Sequence, residues 1–259
     1  MAPALLDLLR GAKTYDLAHD YRVGMPHHPV HPPYLFGLSK AHGEYVRGEI
    51  SSAAECITLG GHVGTHIDAL CHFSKAGKLH GGVEVAPIQS HGGGIGRLGI
   101  DTVAPIFRRG VLLDIAGHQG VDVLPVDFQI APDLLAEAAG AVPIGPGDVV
   151  LIRTGWARYW HDARQFIAEV RGPGIGEPGA RWLSERGIFA AGSDTIAFEF
   201  VPSQMPVHAH FLVECGIHII EALDLEELAR DRVREFLFVA LPLKIRGGTG
   251  SPVRAVAVV

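Results

Sequence analysis

Residues 60–72 read Gly60-Gly-His62-Val-Gly-Thr-His66-Ile-Asp68-Ala-Leu-Cys-His72 and place four groups suited to metal binding or proton transfer in one short segment. In a fully extended chain, His62 and His66 would lie about 13 Å apart, at 3.3 Å per residue. The ligands of one metal ion, however, each lie about 2.0–2.2 Å from it. The segment must therefore turn at its glycines, or form a helical turn that brings residues i and i+4 together.

The ligand types in this segment indicate which ion it would hold. Neutral imidazole and carboxylate suit Zn²⁺ or Mn²⁺, and the absence of cysteine ligands argues against a purely structural zinc site. A single histidine in an apolar segment is usually an ordinary core or surface residue, but the spacing HxxxHxDxxxH favours a metal site. The sequence of this segment therefore predicts a site for a divalent ion.

A second group of polar side chains lies far downstream. It consists of Pro206-Val-His208-Ala-His210 followed by Gly216-Ile-His218-Ile-Ile-Glu221. Histidine and glutamate are common ligands, but the separation of these residues follows no ligand spacing. Taken alone, the region predicts an ordinary helix–turn–strand unit with Glu221 at the start of an exposed helix end. His210 competes with His208 as a candidate ligand.

Composition excludes several classes of protein. The chain has 259 residues, with 28 acidic against 22 basic side chains and a net charge of −6, so it lacks the basic surface of a nucleic-acid-binding protein. No apolar run approaches the length of about 20 residues that spans a bilayer. The first residues do not resemble a secretory signal. The three cysteines form no disulfide pattern, so we expect reduced thiols and a cytoplasmic protein.

The pattern of apolar runs predicts one α/β domain over residues 1–259, with a mixed sheet and no linker or repeat. Residues 22–37 contain several prolines and are predicted to lie outside helices and central strands. Helices are predicted over residues 1–13, 133–140, 179–185 and 223–230. Strands are predicted over residues 51–60, 110–115, 148–153, 187–191, 236–245 and 253–259.

The segment HVGTHIDALCH resembles the HxGTHxDxPxH signature of the metal-dependent cyclase family, which includes kynurenine formamidases, isatin hydrolases and trans-dienelactone hydrolases. The resemblance continues through LIRTGW, PVHAHFLVECGIHIIEALDLEELA and PLKIRGGTGSPVRAVAV, and so covers the chain from Tyr15 onward. It implies a swivelling β/β/α fold, assembled as a homodimer or homotetramer. It also implies a site made of a first metal position (His62, His66, Asp68), a catalytic histidine (His72) and a second metal position that shares Asp68 (His208, Glu221).

The chain differs from this family's pattern at two places. Leu70 replaces the signature proline, which leaves every candidate ligand in place. Residues 26–31 read Pro26-His-His28-Pro-Val-His31, where formamidases carry a Trp-Pro-Gly-Asp run. Isatin hydrolases, in turn, generally lack the distal glutamate that Glu221 supplies. His28 and His31 are candidates for the mouth of a substrate pocket, and His218 is a third candidate for substrate contact.

The function predicted from these residues is a metal-dependent hydrolase that uses a metal-activated water to cleave a small amide at its C–N bond, as an arylformamidase does. His72 would accept and return the proton. The alternatives are ring opening of a lactone or cyclic amide, and a metal-binding homologue without catalysis. Residues 94–99 spell GxGxxG, but they lack the strand before and the crossover helix after that a dinucleotide site needs. No GxSxG motif supports a serine nucleophile.

Overall fold

The computed structural model describes residues 10–259, and a nine-stranded mixed sheet organises them. The predicted helix over residues 1–13 lies largely outside the described residues. In chain order, the strands of this sheet are β1 (Thr14–Asp16), β2 (His66–Asp68), β3 (Ile106–Asp114), β4 (Val149–Arg153), β5 (Ala190–Ser193), β6 (His218–Glu221), β7 (Glu235–Ala240), β8 (Gly250–Pro252) and β9 (Val256–Val258).

Across the sheet, the strands follow the order β1-β9-β7-β3-β4-β5-β6-β2-β8. The four adjacent strands β3, β4, β5 and β6 are parallel to one another, whereas every other pairing in the sheet is antiparallel. The α/β class and the mixed sheet expected from the sequence are therefore confirmed. Because β2 pairs with the end of β6, the sheet brings residues near position 66 beside residues near position 220.

Successive side chains along each strand point to opposite faces of the sheet, so the core forms two layers. Leu112 and Leu151 belong to one buried cluster, whereas Leu113 and Ile152 belong to another. A central strand with both faces buried reads as a continuous apolar run, which is how β3 and β4 appear in the sequence. The second cluster is covered by helices α1 (Ile115–His118), α2 (Pro132–Ala139), α4 (Glu177–Ser184) and α5 (Pro206–His208).

The remaining elements are short. Helix α5 continues as a π-helix over Ala209–Cys215, and α3 (Ala163–Ile167) and α6 (Glu226–Arg230) complete the α-helices of the described part of the chain. Single 3₁₀ turns form at His80–Gly82, Ala86–Ile88, Ile100–Thr102 and Trp156–Tyr159. Two-stranded ribbons pair Leu35–Lys40 with Ala54–Thr58, Val46–Arg47 with Ile50–Ser51, Gln89–Ser90 with Gly94–Ile95, and Gln129–Ile130 with Gly174–Ile175.

Several predicted strands differ from the observed ones at their ends. The strand predicted over residues 236–245 stops at Ala240, two residues before Pro242, which has no backbone N–H for a sheet. The strand predicted over 253–259 is two strands, Gly250–Pro252 and Val256–Val258, which pair with opposite ends of the sheet. The strand predicted over residues 51–60 is interrupted as well. Its longer part, Ala54–Thr58, pairs with Leu35–Lys40 in a two-stranded ribbon outside the large sheet.

The GxGxxG run has a structural explanation. Gly94 has a φ of +70°, and a Cβ at this position would meet the carbonyl oxygen of Gly247. A glycine is therefore required for the close approach of two backbone segments.

Among the described residues, no helix has both the length and the apolar character needed to cross a membrane.

Candidate metal centre

Strands β2 and β6 carry the central part of the site. His66 and Asp68 lie two residues apart on β2 and therefore share one face, while Ile67 between them points into the core. Across the strand pair, Glu221 lies directly opposite His66. All three polar side chains are buried, so the sheet itself places an imidazole and two carboxylates in one protected space.

His62 comes from the turn that precedes β2. The hydroxyl of Tyr21 lies 2.9 and 2.8 Å from the carbonyl oxygens of Val63 and Thr65, and its single proton, shared between these two acceptors, holds the turn. The His62 imidazole then lies with Nδ1 2.7 Å from Oδ1 of Asp68. The turn that the sequence requires is therefore present, and it brings His62 next to Asp68.

The orientation of His66 is set by its own backbone. Its Nδ1 lies 2.8 Å from the carbonyl oxygen of Gly64, which can only accept, so Nδ1 is the donor. Nε2 therefore faces the centre of the site, where its lone pair is available to an ion once any proton on it has left. It lies 3.6 Å from Oδ1 of Asp68 and 3.4 Å from Oε2 of Glu221.

The distal residues complete the group. Helix α5 places Nε2 of His208 3.2 Å from Oε1 of Glu221 and 3.9 Å from Oδ2 of Asp68. The same Glu221 oxygen accepts a hydrogen bond from the backbone N–H of Phe198 at 2.7 Å. The helix–turn–strand unit expected from the sequence is present, but Glu221 is the buried last residue of β6 and does not begin an exposed helix. This unit brings His208 and Glu221 to Asp68, although their spacing alone does not indicate it.

Sequence reasoning missed Glu199. This side chain is only 1% exposed, and its Oε1 lies 2.7 Å from Nδ1 of His208. A carboxylate on the outer nitrogen of a metal-binding histidine is a common arrangement because it fixes the tautomer and the ring orientation. The only signal in the sequence is an acidic residue between two phenylalanines, Phe198 and Phe200.

Burial and charge act against each other in this group. Burial alone would raise the pKa of Glu221, but its hydrogen bonds with His208 and His66 lower it to about 2. Burial would lower the pKa of His208, but the carboxylates of Glu199 and Glu221 raise it to about 10. The pKa of Asp68 falls well below its usual value, because His72 and His62 outweigh the effect of burial. Without an ion, the carboxylates of Asp68 and Glu221 are thus ionised, and a proton on the imidazole of His208 balances part of their charge.

The donor set fits a divalent cation. Oδ2 of Asp68 is buried and has no hydrogen-bond partner, an arrangement that is costly for a charged oxygen unless a cation completes it. Two groups have ligand atoms that all lie within 4.8 Å of one another, and they share Asp68: His62 with Asp68 and His72, and Asp68 with His208 and Glu221. His66 lies beside both groups through its contacts with Asp68 and Glu221.

A cavity of about 300 Å³ opens onto these residues. His72 stacks on His62 with ring centroids 3.8 Å apart. The ring centroids of His31 and His62 are 5.2 Å apart. His28 packs against His31 at 5.6 Å. The apolar part of the lining consists of Val30, Phe73, Val170, Ile196, Ala197, Val201 and Met205.

Two other candidate histidines do not reach this cavity. His218 lies on the opposite face of β6, where its Nδ1 donates to the backbone carbonyl of Asp68 at 2.9 Å. It lines a separate cavity with Arg108 and Phe189. His210 turns away from His208 and contacts Ser184 and Glu214 at 2.9 and 2.8 Å.

Known proteins are similar to this chain in sequence and in fold. Residues 15–200 match the sequence model of the Cyclase family. A kynurenine formamidase from Geobacillus thermodenitrificans is 29% identical over 205 residues, which cover 77% of each chain. An isatin hydrolase from Roseibium aggregatum is 30% identical over 215 residues, or 78% of this chain and 73% of that one.

Solved structures agree with the sequence matches. The crystal structure of a novel cyclase has a TM-score of 0.90 and 31% identity, over 98% of this chain and 89% of that chain. Isatin hydrolase A from Ralstonia solanacearum has a TM-score of 0.78 at 24% identity, over 100% of this chain and 97% of that chain, and so shares the fold. The resemblance noted in the sequence is confirmed, and the enzymes named among these relatives are hydrolases. The chain belongs to the Cyclase family.

Proposed function

We propose that this protein is a metal-dependent hydrolase that cleaves a C–N bond of a small amide. The observation that carries the proposal is the unpartnered Oδ2 of Asp68, buried between the imidazole of His208 and the carboxylate of Glu221. A bare carboxylate oxygen in a buried position has no structural use, whereas it is an expected donor for a divalent cation. The formamidase and isatin hydrolase relatives support the same reaction class.

The residues divide into two metal positions. His62, His66 and Asp68 would hold the first ion, and His208 and Glu221 would hold a second one together with Asp68. Oxygen and imidazole donors suit Zn²⁺ or Mn²⁺. When bound, such an ion supplies Lewis-acid chemistry, since it polarises a carbonyl group and makes water a better nucleophile at neutral pH.

His72 is the proposed acid–base group. Its ring lies at the cavity wall, stacked on His62 and in edge contact with Phe73, with ring centroids 4.9 Å apart. Burial lowers the pKa of His72 to about 4, so the imidazole is neutral near pH 7 and free to accept a proton. We propose that it takes a proton from the attacking water and returns it to the nitrogen or oxygen that leaves.

The lining of the cavity bears on the substrate. Among its described residues there is no lysine or arginine, and most of the side chains away from the ligands are apolar. A substrate with a free carboxylate would find no cation beyond the metal site, so the lining favours an uncharged small molecule. This supports a second candidate function, ring opening of a cyclic amide or lactone. We propose that His28 and His31 contact the polar edge of the substrate.

A substrate panel tests the proposal. The protein, stripped with a chelator and reloaded with Zn²⁺ or Mn²⁺, is assayed on N-formylated arylamines, cyclic amides and lactones, with the stripped protein as control. We expect metal-dependent hydrolysis of at least one neutral amide or cyclic compound. Full metal loading with no hydrolysis anywhere in the panel would instead support the metal-binding homologue without catalysis.

Two further expectations concern the environment of the protein. We propose a homodimer or homotetramer, supported by exposed apolar side chains on the peripheral ribbons, among them Phe36 at 51%, Leu38 at 59% and Ile50 at 77% exposure. Light scattering on the purified protein tests this, because a monomer at all concentrations contradicts it. The cytoplasmic location stays a prediction from the three free cysteines Cys56, Cys71 and Cys215.

A further inference from the structure

Glu199 is a buried carboxylate that the proposed chemistry does not use. It is 1% exposed, and its one ion pair among the described residues is the pair with His208. Burying a charge costs free energy unless the group is paired and fully hydrogen-bonded. The position of Glu199 therefore requires an explanation in terms of what it holds in place.

The contacts of Glu199 all converge on the start of helix α5. Oε1 accepts from Nδ1 of His208 at 2.7 Å and from the backbone N–H of the same residue at 3.0 Å. Oε2 accepts from the hydroxyl of Ser203 at 2.8 Å and, more weakly, from the backbone N–H of Val207 at 3.4 Å. One carboxylate thus holds both the backbone and the ring of His208.

We propose that Glu199 is the positioning residue of the second metal position. By accepting the proton of Nδ1, it keeps Nε2 of His208 turned toward Oδ2 of Asp68 and Oε1 of Glu221. Without this acceptor, the His208 ring is free to rotate or to present the wrong nitrogen. This inference rests on the proposed function, since it assigns a role within the two-metal site.

The contacts of the other histidines limit the expected effect of a Glu199 substitution to the second metal position. His66 is oriented by the carbonyl oxygen of Gly64, and His62 contacts Thr249, with Nε2 to Oγ1 at 2.9 Å. Neither histidine contacts Glu199. A change at Glu199 should therefore weaken binding of the second ion and leave the first ion unaffected.

The chain offers a matched control. His210 lies on the same helical segment, and its Nδ1 lies 2.8 Å from Oε2 of Glu214, a carboxylate–imidazole pair like that of His208. This second pair does not face the cavity. Loss of Glu214 removes a similar hydrogen bond without touching the proposed metal positions.

The test is a competitive titration of each stripped protein with Zn²⁺ against a chromophoric chelator, which gives the affinity of each bound ion. The variants are Glu199→Gln, which keeps a neutral acceptor, Glu199→Leu, which removes it, and Glu214→Gln as the control. Loss of a carboxylate that hydrogen-bonds the outer nitrogen of a metal-binding histidine typically lowers metal affinity about 10–100-fold. We expect Glu199→Leu to weaken the second ion by about this factor, Glu199→Gln to weaken it less, and Glu214→Gln to match wild type.

A second readout separates positioning from general damage. In the zinc-loaded wild type, the proton on Nδ1 of His208 should give a slowly exchanging NMR signal, which Glu199→Leu loses and Glu214→Gln keeps. Equal weakening of both ions, or a second ion that binds Glu199→Leu within about twofold of wild type, overturns the inference alone. A wild type that takes up only one ion also overturns it. A wild type that binds no ion contradicts the proposed function itself.

Discussion

The carboxylate of Glu221 lies directly opposite the imidazole of His66 across the antiparallel pair β6–β2, with Oε2 3.4 Å from Nε2. Directly opposed residues on one face of such a pair are held by the backbone ladder on both sides. The distal segment and the HxxxHxD segment are therefore joined by the central architecture of the sheet and not by a flexible loop. A metal centre built on this pair is preorganised before any ion binds.

Replacing Glu221 by glutamine should remove the second ion selectively. The variant keeps the size of the side chain and an oxygen for the N–H of Phe198, but it loses the negative charge beside His208 and Asp68. We expect metal content per chain to fall from about two ions to about one. Plasma mass spectrometry measures this, with the exposed Glu235→Gln as control. An unchanged content would remove Glu221 from the ligands.

Replacing His72 by alanine should reduce turnover without removing metal. The loss of one acid–base group usually lowers kcat by about 10²–10⁴-fold. We expect this loss with metal content near that of wild type, because the first position retains His62, His66 and Asp68. The control is His91→Ala, at an exposed position away from the cavity. Turnover near the wild-type rate in His72→Ala would remove the residue from the mechanism.

Gly250→Ala should disturb the first metal position from outside the segment of residues 62–72. A Cβ on Gly250 would lie 2.5 Å from Cε1 of His62, so the imidazole would have to move away from Asp68. We expect loss of the first ion and a destabilisation of about 1–3 kcal/mol, as for overpacked cores. Gly92→Ala is the control because its Cβ would meet nothing within 4 Å. Equal metal content in both variants would contradict the placement of His62.

Metal affinity should rise with pH. The pKa of His208 is raised from 6.5 to about 10 in the ion-free protein, so its imidazole must lose a proton when an ion binds. The neighbouring carboxylates raise the pKa of His66 as well, which acts in the same direction. Affinity therefore increases from about pH 6 to about pH 8, and binding releases protons. Calorimetric titrations in two buffers of different ionisation enthalpy measure the release. An affinity that does not change over this interval would contradict the protonated imidazoles.

The raised pKa of His208 also makes the stability of the ion-free protein depend on pH. Because the folded-state pKa of His208 lies above its unfolded value of 6.5, its contribution to the ion-free fold is complete below about pH 6.5 and is lost as the pH rises toward 10. We expect the ion-free protein to be less stable in denaturant at about pH 9 than at about pH 6.5. His208→Gln should show a smaller difference between the two conditions. A stability that rises over this interval would contradict the ion pairs with Glu199 and Glu221.

How far the sequence predicts this site depends on which residues are considered. The segment from His62 to His72 could be recognised because its ligand types and spacing are local. The partnership of His208 and Glu221 with Asp68 depends on strand pairing, which their spacing does not encode; only the family resemblance indicated it. Glu199 was missed because its role depends on the bend between β5 and α5, and no motif marks it. His218 alternates to the opposite face of β6, a register that only the sheet shows.

The central claim is that one shared carboxylate, Asp68, organises a metal centre. The most direct test is metal content per chain by plasma mass spectrometry, on protein purified without a histidine tag, for wild type, His66→Ala and His208→Ala. The account predicts about two ions of zinc or manganese per chain in wild type, loss of the first ion in His66→Ala, and loss of the second ion alone in His208→Ala. A wild type that contains no metal and takes up none from added Zn²⁺ or Mn²⁺ would contradict it.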